Sequence, residues 1–219
     1  MTTINHHLDE ATLFAYGAGT LQTSLTVLVK AHLEVCSTCR CAAVAAAEIG
    51  GAVLHEQDEV DVSASCKSAV MERISTATLH RLPIHVAPLE NELPRALLPY
   101  LKDRHFDSVK WTKTGPGLAM HRLQKAEGDQ GFFGLLRIGP GRKMPDHGHG
   151  GVELTLVLQG AYEDAIGHFG RGDIADLDES TIHTPVVTGD VACICLVANQ
   201  APTRFQSWPA RLVQRFIGI

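Results

Sequence analysis

Aromatic residues are scarce, only 5% of the 219 positions. No stretch approaches the ~18 uninterrupted apolar residues that a membrane-spanning helix needs. The nearest approach, the alanine-rich run from Cys41 to Leu54, is interrupted by Glu48. Met1 to Glu10 shows no basic region followed by an apolar core, so no secretory signal is expected and the chain reads as cytoplasmic. Positive charge is also in short supply. A net charge of −5 argues against a protein that holds nucleic acid by neutralising phosphates. With 45% hydrophobic and 20% charged residues, disorder and collagen-like repetition are excluded, and one or two globular domains are expected.

What the chain does have is histidine and cysteine, twelve and six. In a reducing compartment, closely spaced cysteines point to metal binding more than to disulfides. Charge is uneven. Residues 1–93 hold 5 Lys and Arg against 11 Asp and Glu, whereas residues 94–219 hold 14 against 13. An acidic first part beside a near-neutral second part suggests two domains, the first suited to a basic partner.

Residues 1–80 read as helices. Asp9 is a plausible N-cap for a short helix through Leu13, stopped by Gly17 and Gly19. Thr23 or Ser24 could cap a second, with Leu25, Leu28, Val29, His32 and Leu33 at helical spacing. A third runs from about Cys39 to Leu54. A fourth starts near Ser63 or Ser65, with Ala69, Val70, Ile74 and Ala77 or Leu79 as its apolar face. Pro83, Pro88 and Pro94 then mark residues 81–94 as a linker. Beyond it, Gly131–Ile138, Val152–Gln159 and Val191–Ala198 read as strands of a sandwich or barrel over residues 95–219.

Two constellations carry chemistry. In the first, His32-x3-Cys36-x2-Cys39, positions i and i+4 share a helix face, and Cys39 follows across the start of the next helix. Zinc prefers four tetrahedral nitrogen and sulfur ligands, so one is missing, with His6 and His7 as the candidates. Cys41 reads as a spectator. These residues resemble the zinc-binding anti-sigma domain, four short helices that clasp an extracytoplasmic-function sigma factor. Carried onto this chain, the resemblance implies His32, Cys36 and Cys39 as ligands, with His7 chosen as the fourth because it lies beside the first helix.

The second constellation is Gly141-x5-His147-x-His149-x3-Glu153-x6-Gly160. Residues two apart on a strand face the same way, so His147 and His149 point together, with Glu153 also on the odd-numbered face. Such an imidazole pair and carboxylate suit Zn, Fe, Mn, Ni or Cu. His183 fits as a fourth ligand from a later strand, better than His121 or His168. Every fixed position of the first cupin motif is met, so this half resembles the cupin superfamily. In the second motif Gly172 and His183 are in register, while Asp178, Ser180 and Val187 depart from the usual residues.

Together the halves resemble the ChrR-type zinc-binding anti-sigma factors. The fold expected is therefore α+β in two domains: a small four-helix zinc-binding bundle over residues 1–80 and a C-terminal cupin β-barrel of jelly-roll type over residues 95–219. The resemblance implies a regulator and not an enzyme. The first domain would sequester an extracytoplasmic-function sigma factor, and the cupin would sense oxidative stress, notably singlet oxygen, and trigger release. One zinc is implied in each domain, with no direct contact to nucleic acid or membrane. Cys193 and Cys195, on one strand face, add oxidisable groups, although packing is the slightly favoured reading. The competing reading is a metal-dependent cupin enzyme, a dioxygenase or isomerase with an accessory helical domain. A zinc-finger DNA binder is the weakest, given the acidic first part.

Overall fold

A strand reading Leu-Thr-Leu-Val-Leu, apolar at nearly every position, must be buried on both faces. The computed structural model, which describes residues 3–76 and 92–205, shows how this is achieved. Four helices come first: α1 (Glu10–Gly17), α2 (Thr23–Leu33), α3 (Ser37–His55) and α4 (Cys66–Thr76). Eleven strands follow: β1 (Thr112–Gly115), β2 (Leu118–Arg122), β3 (Phe133–Ile138), β4 (His147–Gly148), β5 (Glu153–Gln159), β6 (Ala161–Glu163), β7 (His168–Phe169), β8 (Ile174–Leu177), β9 (Val186–Thr188), β10 (Cys193–Asn199) and β11 (Arg204–Phe205). They form an antiparallel six-stranded sheet in the order β1-β2-β3-β10-β5-β8, with the smaller sheets β7-β6-β9 and β11-β4.

On β5 and β10 the side chains divide by parity. Val157, Cys193, Cys195 and Val197 join Phe132, Leu136, Tyr162 and Phe169 in an apolar cluster inside the barrel. Leu154, Leu156, Leu158, Ile194, Leu196 and Ala198 point the other way. There they meet Leu13, Leu25, Leu28 and Leu33 of α1 and α2 in one continuous core. The helices thus cover the outer face of the cupin sheet.

Local signals set most helix boundaries. Asp9 caps α1 by accepting from Ala11 N at 2.7 Å. At α3 the cap is Cys36, whose sulfur accepts from Cys39 N. For α2 the expected Ser or Thr cap is replaced. Thr23 begins the helix, and the Asp129 carboxylate, from the loop between β2 and β3, accepts from Thr23 N and Ser24 N at 3.2 and 2.8 Å. A distant acid does a cap's work because the helix start lies against the sheet's edge.

The fourth helix exists, but none of its side chains is buried; Val70 and Ile74 of its expected apolar face are exposed, as is Met71. Ala77, Leu79 and most of the 81–94 linker lie outside the described residues. Where the chain is described again, Leu93 is fully buried. The Glu34 carboxylate then accepts from Arg95 N and Ala96 N, tying the start of the cupin segment to the end of α2.

Because one core serves helices and sheet, Leu28→Ala should cost about 2–5 kcal/mol. Urea unfolding followed by far-ultraviolet and by near-ultraviolet circular dichroism should show one shifted transition common to both. Separate midpoints would show that the helices unfold independently.

Candidate metal centres

His32 lies in the last turn of α2, and three residues after that helix Cys36 begins α3, with Cys39 in its first turn. The helix-to-helix corner therefore turns one imidazole and two sulfurs inward. The His32 Nε2 to Cys39 Sγ distance is 3.3 Å. His7 completes the group, its Nδ1 lying 3.3 Å from Cys36 Sγ and 3.6 Å from Cys39 Sγ. One donor atom from each of the four residues lies within 4.8 Å of all the others. His6 is turned away, stacking on Phe169 at 4.0 Å with its Nε2 3.1 Å from the His168 carbonyl. Cys41 and Cys66 are exposed and outside the group.

Burial has a uniform electrostatic effect here. Desolvation, followed by the charge of His7, lowers the His32 pKa to about 4, against smaller opposing contributions from Gly172 and Asp173. Burial also pushes the Cys39 thiol up to about 11, with Cys36 adding to the rise. Two sulfurs and two imidazoles at this spacing suit a tetrahedral thiophilic cation such as Zn²⁺, which would replace the thiol protons.

The second group is built by strand pairing. His147 and His183 form a two-way backbone bridge, His147 N to His183 O at 3.3 Å and His183 N to His147 O at 3.1 Å. Their Nε2 atoms then face each other at 3.1 Å. Each ring donates from Nδ1 elsewhere: His147 to the Pro145 carbonyl at 2.8 Å, His183 to the Asp164 carboxylate at 2.8 Å. Both facing nitrogens are thereby left as lone pairs, an arrangement a shared cation relieves. Glu153 lies opposite Asn199 in the ladder, and its Oε2 contacts His149 Nδ1 at 3.1 Å and Asn199 Nδ2 at 3.2 Å. Among the described residues, His149 Nε2 is buried without a hydrogen-bond partner. Again the four donors lie within 4.8 Å of one another. Burial works to raise the Glu153 carboxyl, but the His149 hydrogen bond and the surrounding imidazoles outweigh it, holding it at about 2.

All eight residues singled out in the sequence thus fall into two groups of four, buried except for His7, which is exposed. Several contributors had no local signal. Asp164 holds the tautomer of His183, and Asn199 and Thr155 satisfy Glu153. Asp173 is the most consequential. One oxygen accepts from Asn5 N and His6 N at 2.6 and 3.0 Å, and the other from Gly170 N at 2.8 Å. A cupin carboxylate therefore anchors the segment that delivers His7. Beside it, Gly172 has φ +94° and Ile4 packed where a Cβ would stand, so only glycine fits. Cys193 and Cys195 are buried with sulfurs 3.5 Å apart. The Cys193 contact and burial raise the Cys195 thiol well above its ordinary range, so it is not an activated thiolate.

A relative 41% identical over 220 residues, the anti-sigma-E factor ChrR of Cereibacter sphaeroides, aligns with 99% of this chain and 100% of its own length. The chain belongs to the ChrR family of anti-sigma factors. Residues 103–202 match the ChrR cupin-like domain family. The fold also matches the crystal structure of Rhodobacter sphaeroides SigE in complex with the anti-sigma ChrR. That match has a TM-score of 0.73 and 36% identity over 90% of this chain and 99% of the other.

The pKa directions give a pH dependence for the metal-free protein. His32 is held at about 4 against an ordinary 6.5, so its neutral form imposes no penalty above pH 6.5 and stability falls as pH drops toward 4. The loss should be on the order of 3 kcal/mol, with His32→Gln removing it. Glu153, held at about 2 against 4.5, adds stability present above pH 4.5 and lost as pH falls toward 2. Urea unfolding of chelator-treated protein at successive pH values checks both steps. A flat wild-type profile from pH 6.5 to 4 would contradict the His32 step.

Proposed function

We propose that this chain sequesters an extracytoplasmic-function sigma factor through residues 1–80, and that the cupin of residues 95–219, reached through the 81–94 linker, responds to oxidative stress such as singlet oxygen by triggering release. Kinship with an anti-sigma factor over the full length supports the first part. The observation that carries it is the surface of α3. By length and composition this helix could cross a membrane, and only 11% of its apolar window is buried. Val44, Ile49, Val53 and Leu54 are exposed along it. A covering surface is needed, and a protein partner suits it better than lipid. Arg40 at its start donates to the Leu33 carbonyl, Cys39 lies in the first metal centre, and α1 packs on it. The acidic stretch from Glu56 to Asp61 lies beyond its end, matching a basic partner.

Zinc is the metal proposed for both centres. In the first, it would fix the corner between α2 and α3 and so the orientation of α3. In the second it would supply a Lewis-acidic centre, and three imidazoles and a carboxylate would hold it. The sensing role is supported by the way His7 is delivered. Its neighbours are pinned by Asp173, at the start of β8, and β8 pairs with β5 so that Leu177 lies opposite Glu153. Disturbance at the second centre has a short, packed path to the first. The cytoplasm is the proposed location.

Pull-down of a tagged full-length chain from host lysate tests the partner. Wild type should retain a sigma factor, Ile49→Asp should lose at least tenfold of it while folding normally, and Cys36→Ala should lose it together with metal. His147→Ala should capture as wild type but release poorly under singlet oxygen. Normal release by a His147→Ala protein shown to lack the second metal would refute the sensing role. Absence of any sigma factor from the wild-type eluate would refute sequestration.

A further inference from the structure

A cavity of about 60 Å³ opens beside the second centre, with His147, Glu153 and His183 at one end. The rest of its lining is mainly apolar, including Leu136, Ile138, Met144, Val187 and Val197, and the two hydroxyl residues there, Thr155 and Thr203, are engaged with Glu153 and Asn199. At roughly 10–15 Å³ for each water-sized sphere, it has room for about four to six non-hydrogen atoms. Tyr162 also lines it, 3% exposed, and its phenol oxygen is buried with no hydrogen-bond partner among the described residues. Burial keeps that hydroxyl protonated, a donor. A buried donor left unmatched costs free energy, so it marks where a ligand's acceptor belongs.

Charge decides the class of ligand. A divalent cation would be balanced by Glu153 and by Asp164, whose side chain is fully buried against His183. The centre is then neutral overall, and an anion entering these apolar walls would be uncompensated. An alcohol would bring a donor of its own needing an acceptor, whereas a carbonyl oxygen brings only lone pairs.

We infer that this cavity binds a small neutral carbonyl compound, a ketone or aldehyde of four to six non-hydrogen atoms, whose oxygen accepts from Tyr162 Oη while its alkyl groups contact Leu136, Val187 and Val197. A cation held by His147, His149, Glu153 and His183 would supply an electrophile for the second lone pair, a detail that rests on the metal reading above; the Tyr162 contact does not. The ring of Tyr162 stacks on Phe169 at 4.8 Å and 13°, and Phe169 stacks on His6 at 4.0 Å and 24°. Occupancy is therefore registered at the residue next to His7.

The test titrates the full-length chain, its metal content determined, with butanone, observed by NMR at the His6 ring and by ligand saturation transfer. Butanone should bind saturably at one site and shift the His6 ring signals. Acetone should bind more weakly, heptan-2-one poorly, and propionate not at all. Tyr162→Phe removes only the unmatched hydroxyl, so it should fold and keep metal yet bind butanone about tenfold more weakly, the loss of one hydrogen bond. Val197→Leu, which fills the cavity, should abolish binding. Equal affinity in wild type and Tyr162→Phe, propionate binding as tightly as butanone, or no saturable binding to metal-loaded protein would each overturn the inference. Tyr162-dependent binding to a chain with no metal in the second centre would sustain it while overturning the metal reading.

Discussion

The two buried faces of the six-stranded sheet govern the rest of the molecule. A free-standing cupin could leave the outer face of such a sheet polar. Here Leu154, Leu156, Ile194 and Leu196 occupy that face, and α1 and α2 are the surfaces that bury it. Every later feature follows from that cover. It brings the N-terminal segment across β8, lets Asp129 cap α2 and Asp173 hold Asn5 and His6, and so brings His7 to the corner between α2 and α3. The first metal centre, three of whose four residues lie within eight positions of one another, is completed through contacts with the cupin.

The parts of this arrangement legible in the sequence were those encoded by local period. The spacings picked out residues that do come together, although His32 ends α2 while Cys36 caps α3, and His147 lies in β4 while His149 follows it. Helix existence and the principal strands were similarly readable, because alanine content, caps and β-rich runs act over a few residues. The choice between His7 and His6 was open on spacing alone; in the structure His7 stands with the other three donors, while His6 stacks on Phe169, 163 positions away. Asp164, Asn199 and Asp173 act across 19, 46 and 168 positions, through turns and registers that no local pattern announces. The cap of α2 shows the same limit. Thr23 and Ser24 have the right chemistry for self-capping, yet a carboxylate supplied by the opposite layer takes the two amides.

The reading of the helical half as a bundle also needed the sheet. Its apolar faces have two destinations in the structure. The stripe of α2 goes to the sheet, and α1 packs largely on α3. The outer face of α3 and the whole of α4 are left exposed. Periodicity identifies a stripe but not its destination, because the hydrophobic effect is non-directional and any apolar surface satisfies it.

The two metal groups are also unequal in mechanical setting, and this bears on how a signal could pass between them. The second is held by ladder pairing on several sides: Glu153 opposite both Asn199 and Leu177, and His147 opposite His183. The first depends on a segment without regular structure, tied down by three amide-to-carboxylate bonds at Asn5, His6 and Asp9 and by one ring stack. Small rearrangements are amplified where an element has two discrete ways to pack, not where it is locked into a sheet. The segment from Ile4 to Asp9 is not locked into a sheet in this way. It reports on β7 and β8 of the cupin through Phe169, Asp173 and Asp176, and it supplies the ligand without which the corner between α2 and α3 has only three donors. On the proposed sensing role, a disturbance in the second centre would reach α3 most directly by loosening this strap, with no need to distort either the barrel or the helices themselves.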